Sequence, residues 1–228
     1  MSNKDGFIIQ ARMGSKRLPG KSIKKINNTP ILIKIIRSLK RKKKFKDILI
    51  IVATTNLKID DIIVKLSLKE NVIIFRGSHN NVLERYYLAA KKYRLKNIIR
   101  LTSDNPFVDT LFLEKLIQLH IKNKNDYTSS KETLPIGMGA EILTFRSLKK
   151  AYKFSTSKKD KEHVCDYILD NTKNFKIQNL KFKISSKKIK KLRLTVDTQK
   201  DLIFNRNFFN SKIRTNLRKF IKYDSASN

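Results

Sequence analysis

A loop at residues 11–21 carries the side chains best suited to chemistry in this sequence. It reads A-R-M-G-S-K-R-L-P-G-K and directly follows a short apolar run. Glycine allows backbone N–H groups to approach an anion closely, and arginine and lysine neutralise its charge. The spacing matches neither the P-loop nor the dinucleotide-binding fingerprint. The loop therefore predicts a phosphate-binding site of another kind, with Arg12, Lys16, Arg17 and Lys21 as its cations and with Ala11, Gly14 and Ser15 beside them; a surface loop of a lysine-rich protein is the alternative.

Two aspartates also follow apolar runs. Asp104 stands in L-T-S-D-N-P and Asp197 in L-T-V-D-T. A carboxylate at a strand end, opposite a phosphate loop, is placed to hold Mg²⁺ between protein and phosphate oxygens. Each aspartate also has a structural alternative: Asp104 suits an Asx turn before Pro106, and Asp197 suits an N-cap of the following helix.

The elements that must position these residues follow from the alternation of short apolar runs with longer amphipathic ones. This alternation predicts an α/β fold with a largely parallel sheet flanked by helices. Predicted strands cover residues 7–10, 48–53, 72–75, 97–101, 139–145 and 192–196. Predicted helices cover residues 30–39 (with Thr29 as N-cap), 60–69, 81–94, 109–121, 146–154 and 163–169, with a last one from about 199. Because ligands of such sheets lie beyond the carboxyl ends of the strands, the loop and both aspartates should converge.

Length and composition predict one domain spanning residues 1–228. Residues 123–191 are expected to form a substrate-facing insertion that also serves dimerisation, and residues 212–228 a polar tail that frays. The sequence has no apolar stretch of membrane-spanning length and no signal-peptide pattern, so we expect a cytoplasmic protein without membrane insertion. The single cysteine, Cys165, lies in an apolar stretch and is expected in the core.

The chain carries a formal net charge of +33, which would ordinarily indicate a nucleic-acid partner. Its 39 lysines far outnumber its 13 arginines and are scattered along the chain, whereas base reading favours arginine. We therefore expect only non-specific, salt-sensitive binding of nucleic acid. The three histidines, at positions 79, 120 and 163, lack metal-ligand spacing, which argues against zinc chemistry.

The segment R-M-G-S-K-R-L-P-G-K resembles the signature loop of the cytidylyltransferases that make CMP-activated sugars, such as the CMP-Kdo and CMP-sialic acid synthetases. Its opening, Q-A-R-M, is most similar to the branch typified by the spore coat polysaccharide biosynthesis protein SpsF. The resemblance runs from about residue 6 to about residue 202. It implies a Rossmann-like nucleotide-diphospho-sugar transferase fold, with Arg12, Lys21 and Asp104 catalytic and with Asp104 and Asp197 binding Mg²⁺.

Three further segments carry the resemblance. Residues 76–85, R-G-S-H-N-N-V-L-E-R, are similar to the segment that helps to recognise cytosine, which implies that Ser78 and Asn80 contact the nucleotide. Asn81 replaces a common aspartate there, which leaves a capping role, and Arg85 is compatible with plain helix surface. The strand around Glu141 and the pair Glu162–His163 resemble sugar-facing segments. Arg193, next to the late strand, could pair with a substrate carboxylate or emerge from the sheet.

The resemblance thus implies CTP-dependent transfer of CMP to a sugar, with a 2-keto-3-deoxy sugar acid as the favoured acceptor. Pyrophosphate would leave, Mg²⁺ would be the cofactor, and a homodimer is expected from relatives. Two alternatives stay open at this point. One is a sugar-1-phosphate nucleotidylyltransferase that uses another nucleoside triphosphate, and the other is a non-catalytic basic nucleic-acid-binding protein.

Overall fold

A seven-stranded mixed sheet forms the centre of the protein in a computed structural model that describes residues 4–224. The strands are β1 (Lys4–Gln10), β2 (Leu49–Thr55), β3 (Ile73–Gly77), β4 (Leu95–Thr102), β5 (Tyr127–Ser129), β6 (Glu141–Thr144) and β7 (Ile177–Asn179). Their order is β3-β2-β1-β4-β6-β5-β7. Strands β1 to β4 pair in parallel, whereas β6 runs antiparallel to both β4 and β5, and β7 runs parallel to β5.

Ten α-helices surround this sheet in the described part of the chain. They are α1 (Ile31–Lys40), α2 (Asp61–Leu68), α3 (Val82–Lys92), α4 (Thr110–Lys122), α5 (Phe145–Phe154), α6 (Lys158–Glu162), α7 (Asp166–Asp170), α8 (Lys187–Lys190), α9 (Gln199–Phe209) and α10 (Lys212–Phe220). A separate antiparallel pair joins β8 (Phe182–Ile184) to β9 (Ile221–Tyr223). A two-residue pair at 25–26 and 29–30 leads into α1.

The sheet has a hydrophobic core on each face. In β1, Phe7 and Ile9 pack into one core while Ile8 packs into the other, and all three are fully buried. Successive strand residues point to opposite faces, so a strand covered on both sides needs an unbroken apolar run. This requirement explains why the strands that lead to the candidate site were readable in the sequence.

The expected mostly parallel α/β sheet is confirmed, and the bounds of β1 to β4 and of α1 to α4 lie within three residues of the prediction. Thr29 as N-cap of α1 is wrong: Pro30 occupies that position, and the Thr29 hydroxyl donates to Asn27 O instead (3.3 Å). The predicted strand at 192–196 is also wrong. Leu194 and Val196 are buried, but this segment forms only an isolated bridge between Ile136 and Arg193, because the core accepts apolar side chains from an irregular segment as well.

The later part of the chain corrects two more expectations. Residues 123–191 supply β5, β6 and β7 to the central sheet, and their expected roles in substrate binding and dimerisation stay predictions. The predicted helix at 163–169 is shorter than expected, because α7 begins only at Asp166 and His163 lies at the C-cap of α6. The tail from residue 212 is folded as α10 and β9 up to residue 223, while residues 225–228 lie outside the described part. Within residues 4–224, no helix has the length and apolarity needed to span a bilayer.

Candidate nucleotide-binding site

A cleft of about 620 Å³ lies at the carboxyl ends of β1 and β4. Six cationic and three acidic side chains line it, so its surface carries an excess of positive charge. These are Arg12, Lys16, Arg17, Lys21, Arg85 and Arg100, with Asp104, Glu162 and Asp197. A cleft with this balance favours an anionic ligand. Ala11, Gly14, Ser15, Asn80 and His163 also line it.

Lys21 joins the two aspartates at the centre of the cleft. Its Nζ lies 2.5 Å from Asp104 Oδ2 and 2.9 Å from Asp197 Oδ1. All three side chains are 14–19% exposed, which leaves them within reach of a ligand. Residues separated by up to 176 positions in sequence therefore meet at one point, as the sheet topology required.

The backbone also ties the two aspartate segments together. Val196 N donates to Asp104 O at 2.8 Å, so the segment that carries Asp197 runs beside the end of β4. The N-cap of α9 is Thr198, which forms a reciprocal capping box with Asp201. The capping alternative for Asp197 is therefore wrong. The Asp104 side chain accepts hydrogen bonds from Thr102 Oγ1 (2.6 Å) and from Lys21 Nζ. Within residues 4–224 it accepts none from a backbone N–H, as an Asx turn would require.

Buried contacts at its base hold the loop at residues 11–21 in place. Met13 N donates to Asp60 Oδ1 at 2.7 Å, and Asp60 is buried and also bonded to Thr55. Gly20 closes the loop through a bond from its N–H to Met13 O (2.9 Å) and adopts a left-handed φ of 69°, which favours glycine. Asp60 was not singled out from the sequence, because nothing in K-I-D-D distinguishes it from a surface acid.

The loop's own polar groups are only partly free. Ser15 N donates to Met13 O at 2.9 Å, so this amide would have to exchange partners before it could donate to a phosphate. Arg17 lies 3.0 Å from Asp197 Oδ1, and Arg12 lies 3.6 Å from Glu162. The Lys16 side chain is exposed and has no ion pair among residues 4–224. The ion pairs of Arg17 with Asp197 and of Arg12 with Glu162 are partly exposed, so they are weak and can be exchanged for ligand contacts.

Arg100 occupies the floor of the cleft and was missed in the sequence. Its Nη1 lies 2.5 Å from Glu141 Oε2, and Nη2 lies 3.4 Å from Gln10 Oε1. Glu141 also accepts from Tyr127 (2.7 Å) and Lys131. Burial opposes its ionisation, yet the charges of Arg100 and Lys131 hold the pKa of Glu141 at about 2. Glu141 therefore lies behind Arg100 and does not line the cleft, contrary to its expected sugar-facing position.

Arg85 is a second cation at the cleft, and its interpretation as plain helix surface is wrong. It is 1% exposed, its Nη1 donates to Ser78 O at 2.9 Å, and its buried Nε has no hydrogen-bond partner in the described structure. Burial lowers its pKa. The sequence did contain a signal, since both arginines interrupt apolar patterns: Arg85 stands on the buried face of α3, and Arg100 stands inside a buried strand.

The remaining predicted residues divide between the cleft and its surroundings. Asn80 and His163 line the cleft and are exposed. Ser78 does not line the cleft, and its hydroxyl accepts a hydrogen bond from Asn81 N (3.1 Å). Asn81 caps α3 by accepting from Glu84 N (2.9 Å), as the capping interpretation predicted. Arg193 lies behind Asp197, with its Nη2 2.6 Å from Asp197 Oδ2.

The donor set fits a magnesium ion. Asp104 and Asp197 each present carboxylate oxygens to the single position now held by Lys21 Nζ. No group of three or more His, Cys, Asp or Glu side chains with metal-binding geometry occurs within residues 4–224. Mg²⁺ commonly uses one or two carboxylates together with water and substrate phosphates, so two carboxylates facing a phosphate loop suffice.

Comparison with known proteins gives consistent matches. Residues 7–220 match the family described as cytidylyltransferase. The SpsF protein of Bacillus subtilis, named for spore coat polysaccharide biosynthesis, is 34% identical over 86% of this chain and 82% of its own. An uncharacterized protein of Methanocaldococcus jannaschii is 42% identical over 85% of this chain and 78% of its own. The structure of a Leptospira borgpetersenii cytidylyltransferase, 31% identical, superposes with a TM-score of 0.82 over 96% of this chain and 97% of its own. The predicted family resemblance and fold are both confirmed.

Proposed function

Because this chain belongs to the cytidylyltransferase family, we propose that it transfers CMP from CTP to a sugar. The acceptor hydroxyl attacks the α-phosphorus of CTP, and the bond from that phosphorus to the β-phosphate bridging oxygen breaks. Pyrophosphate leaves, the hydroxyl proton passes to solvent or to the pyrophosphate, and a CMP-sugar is formed. The proposed acceptor is a 2-keto-3-deoxy sugar acid, and the proposed setting is surface polysaccharide synthesis, the process for which SpsF is named.

One observation carries this proposal: Lys21 of the phosphate loop bridges Asp104 and Asp197 at the carboxyl end of the sheet. Two partly exposed carboxylates beside a cation, in a cleft with an excess of positive charge, suit a metal–triphosphate complex, because Mg²⁺ commonly uses one or two carboxylates together with substrate phosphates. When the nucleotide binds, Lys21 is expected to exchange its aspartates for phosphate oxygens. Transfer of this kind depends mainly on positioning and on charge neutralisation.

The chain's own residues have defined roles in this scheme. Arg12, Lys16, Arg17 and Lys21 hold the triphosphate, Gly14 lets it approach the backbone, and Asn80 lies where it can contact the base. Asp104 and Asp197 would hold Mg²⁺, which neutralises charge developing on the phosphates. Arg193 orients Asp197 through their 2.6 Å contact.

An anionic acceptor agrees with the charge of the cleft floor. The one negative charge of Glu141 faces two positive charges, those of Arg100 and Lys131. Arg85 has no carboxylate partner among the described residues. A carboxylate on the sugar would offset this charge. His163, which is exposed and lines the cleft, is proposed to contact sugar hydroxyls.

The proposal is tested by measuring pyrophosphate release from CTP, UTP, ATP and GTP with a panel of sugar acids and of sugar 1-phosphates. We expect turnover with CTP and a sugar acid, dependent on Mg²⁺ and abolished by EDTA. Preference for another nucleotide with a sugar 1-phosphate would replace the proposed reaction with the alternative nucleotidylyltransferase. Failure of CTP with Mg²⁺ to bind, measured by calorimetry, would contradict the proposal whatever the acceptor. Homodimer formation remains a prediction, to be checked by light scattering.

A further inference from the structure

A second cavity, of about 610 Å³, shares no lining residue with the candidate nucleotide site. Its walls are the polar face of α1, residues 106–110, and the chain from Phe209 through α10. Lys34, Arg37 and Ser38 of α1 face it together with the C-cap residue Arg41, because positions three and four apart lie on one side of a helix. The opposite face of α1 is buried in the core. The cavity is therefore lined by the face of α1 that does not pack into the core.

Five cations and one carboxylate line this second cavity. Two of the cations are already neutralised. Arg37 donates to Glu70 from Nε (3.0 Å) and Nη2 (2.7 Å). Arg218 pairs with Asp109 at 2.6 Å, and Asp109 is further occupied in capping α4. The only lining carboxylate is thus fully engaged.

The other three cations, Lys34, Arg41 and Arg214, have no carboxylate within 4.0 Å among residues 4–224. Two of them share one aromatic ring: Lys34 Nζ lies 3.9 Å and Arg214 Cζ 4.2 Å from the Phe209 centroid. Arg214 Nε is buried and has no hydrogen-bond partner in the described structure. Burial, followed by the charges of Arg214 and Arg41, lowers the pKa of Lys34. Three like charges thus converge on a concave, partly desolvated surface, where their repulsion is costly.

We propose that this cavity is a second binding site, for a diphosphate-type oxyanion. Guanidinium and ammonium groups are the side chains that bind phosphoryl oxygens, and three unpaired cations match the charge of a diphosphate better than that of one phosphoryl group. The volume falls in the range of small-ligand sites. The inference does not rest on the proposed catalytic function, because it uses none of the residues of the nucleotide cleft.

The test exploits the absence of tryptophan from the sequence. Phe209→Trp places the only indole of the chain beneath Lys34 and Arg214, so its fluorescence reports on this cavity and not on the nucleotide cleft. Pyrophosphate is titrated at constant ionic strength, with orthophosphate in a parallel titration. We expect a saturable response to pyrophosphate, and a weaker affinity for orthophosphate. Equal affinity for the two anions would overturn the diphosphate assignment.

Two charge-matched variants on this background separate a site from general electrostatics. Arg214→Ala should weaken pyrophosphate binding by at least about tenfold, because it removes a charge-assisted donor. Lys212→Ala removes an equal charge from the same helix at an exposed position outside the cavity, and should change affinity less than about twofold. A non-saturable response, or equal weakening by both variants, would overturn the proposal. Should the tryptophan variant not fold, calorimetry with Arg214→Ala and Lys212→Ala in the natural chain decides: identical pyrophosphate isotherms would also overturn it.

Discussion

The candidate nucleotide cleft and the antiparallel half of the sheet both hold charged side chains, but these differ in their exposure to solvent. In the cleft, Lys21 contacts Asp104 and Asp197 where all three keep some solvent exposure. In the antiparallel half, Glu141 is 4% exposed and is held by Arg100 and Tyr127. His120, on the neighbouring helix α4, is 2% exposed and is bonded to Thr128 and Asn97 of the sheet.

The difference is one of solvent access. A partly exposed ion pair contributes little to stability and can be exchanged for a ligand. A buried one has no exchange partner, so removing one member leaves an uncompensated charge. Substitutions of partly exposed charges in the cleft, such as Asp104, should therefore affect activity and spare stability, whereas substitutions of buried charges, such as Glu141, should lower stability. The following predictions test this contrast.

Asp104→Asn should lower the rate of CTP turnover by at least about 10³-fold, because it removes a carboxylate proposed to hold the metal. The free energy of unfolding should stay within about 0.5 kcal/mol of the natural chain, since the backbone bond from Val196 N to Asp104 O is unaffected. Steady-state kinetics and urea denaturation measure the two effects. Asp47→Asn, at an exposed position, is the matched control and should change neither. Full activity in Asp104→Asn would remove this residue from the metal site.

Glu141→Ala should destabilise the fold by about 3–5 kcal/mol, because it leaves Arg100 buried without its counter-ion. Urea denaturation measures the loss. Glu162→Ala removes an equal charge from an exposed pair with Arg12 and should cost less than about 1 kcal/mol. If the two variants lost equal stability, the buried pair would be no more important to the fold than the exposed one.

Stability should fall by about 2 kcal/mol between pH 7.5 and pH 5.0 through His120. Burial lowers the pKa of His120 to about 4, so the unfolded chain, with a histidine pKa near 6.5, binds the proton more tightly. The stabilisation is present above pH 6.5 and is lost as the pH falls towards 4. Glu141, with a pKa of about 2, contributes its own loss only below about pH 4.3. Urea titrations of the natural chain and His120→Gln should show a smaller slope in the variant; equal slopes would assign the effect elsewhere.

Lys131→Ala should have the smallest effect, below about 1 kcal/mol of stability. Lys131 is a second counter-ion of Glu141, but its side chain is 46% exposed, whereas that of Arg100 is 12% exposed. Urea denaturation should therefore separate Lys131→Ala clearly from Arg100→Met. Equal losses would mean that exposure does not decide what each partner of Glu141 contributes.

Much of this protein was readable from local sequence. An apolar run buried on both faces identifies a parallel strand, and the loop at 11–21 combines glycine and cations in a way that few other roles require. The prediction of a strand at 192–196 was wrong because buried apolar residues give the same sequence pattern in a strand and in a packed irregular segment. Residues 127–129 and 177–179 are three-residue strands, too short to leave a periodic pattern.

By itself the sequence determined the runs that form β1 to β4, the glycine-containing basic loop at residues 11–21 and the strand-end position of Asp104, because each depends on residue type and near neighbours. Only the tertiary structure decided that Lys21 bridges both aspartates, that Glu141 lies behind Arg100, and that three cations meet around Phe209. These contacts depend on which side chains from distant segments pack together and on how far they are exposed to solvent. The sequence specifies which side chains are charged, but the packing of distant segments decides which charged groups contact each other.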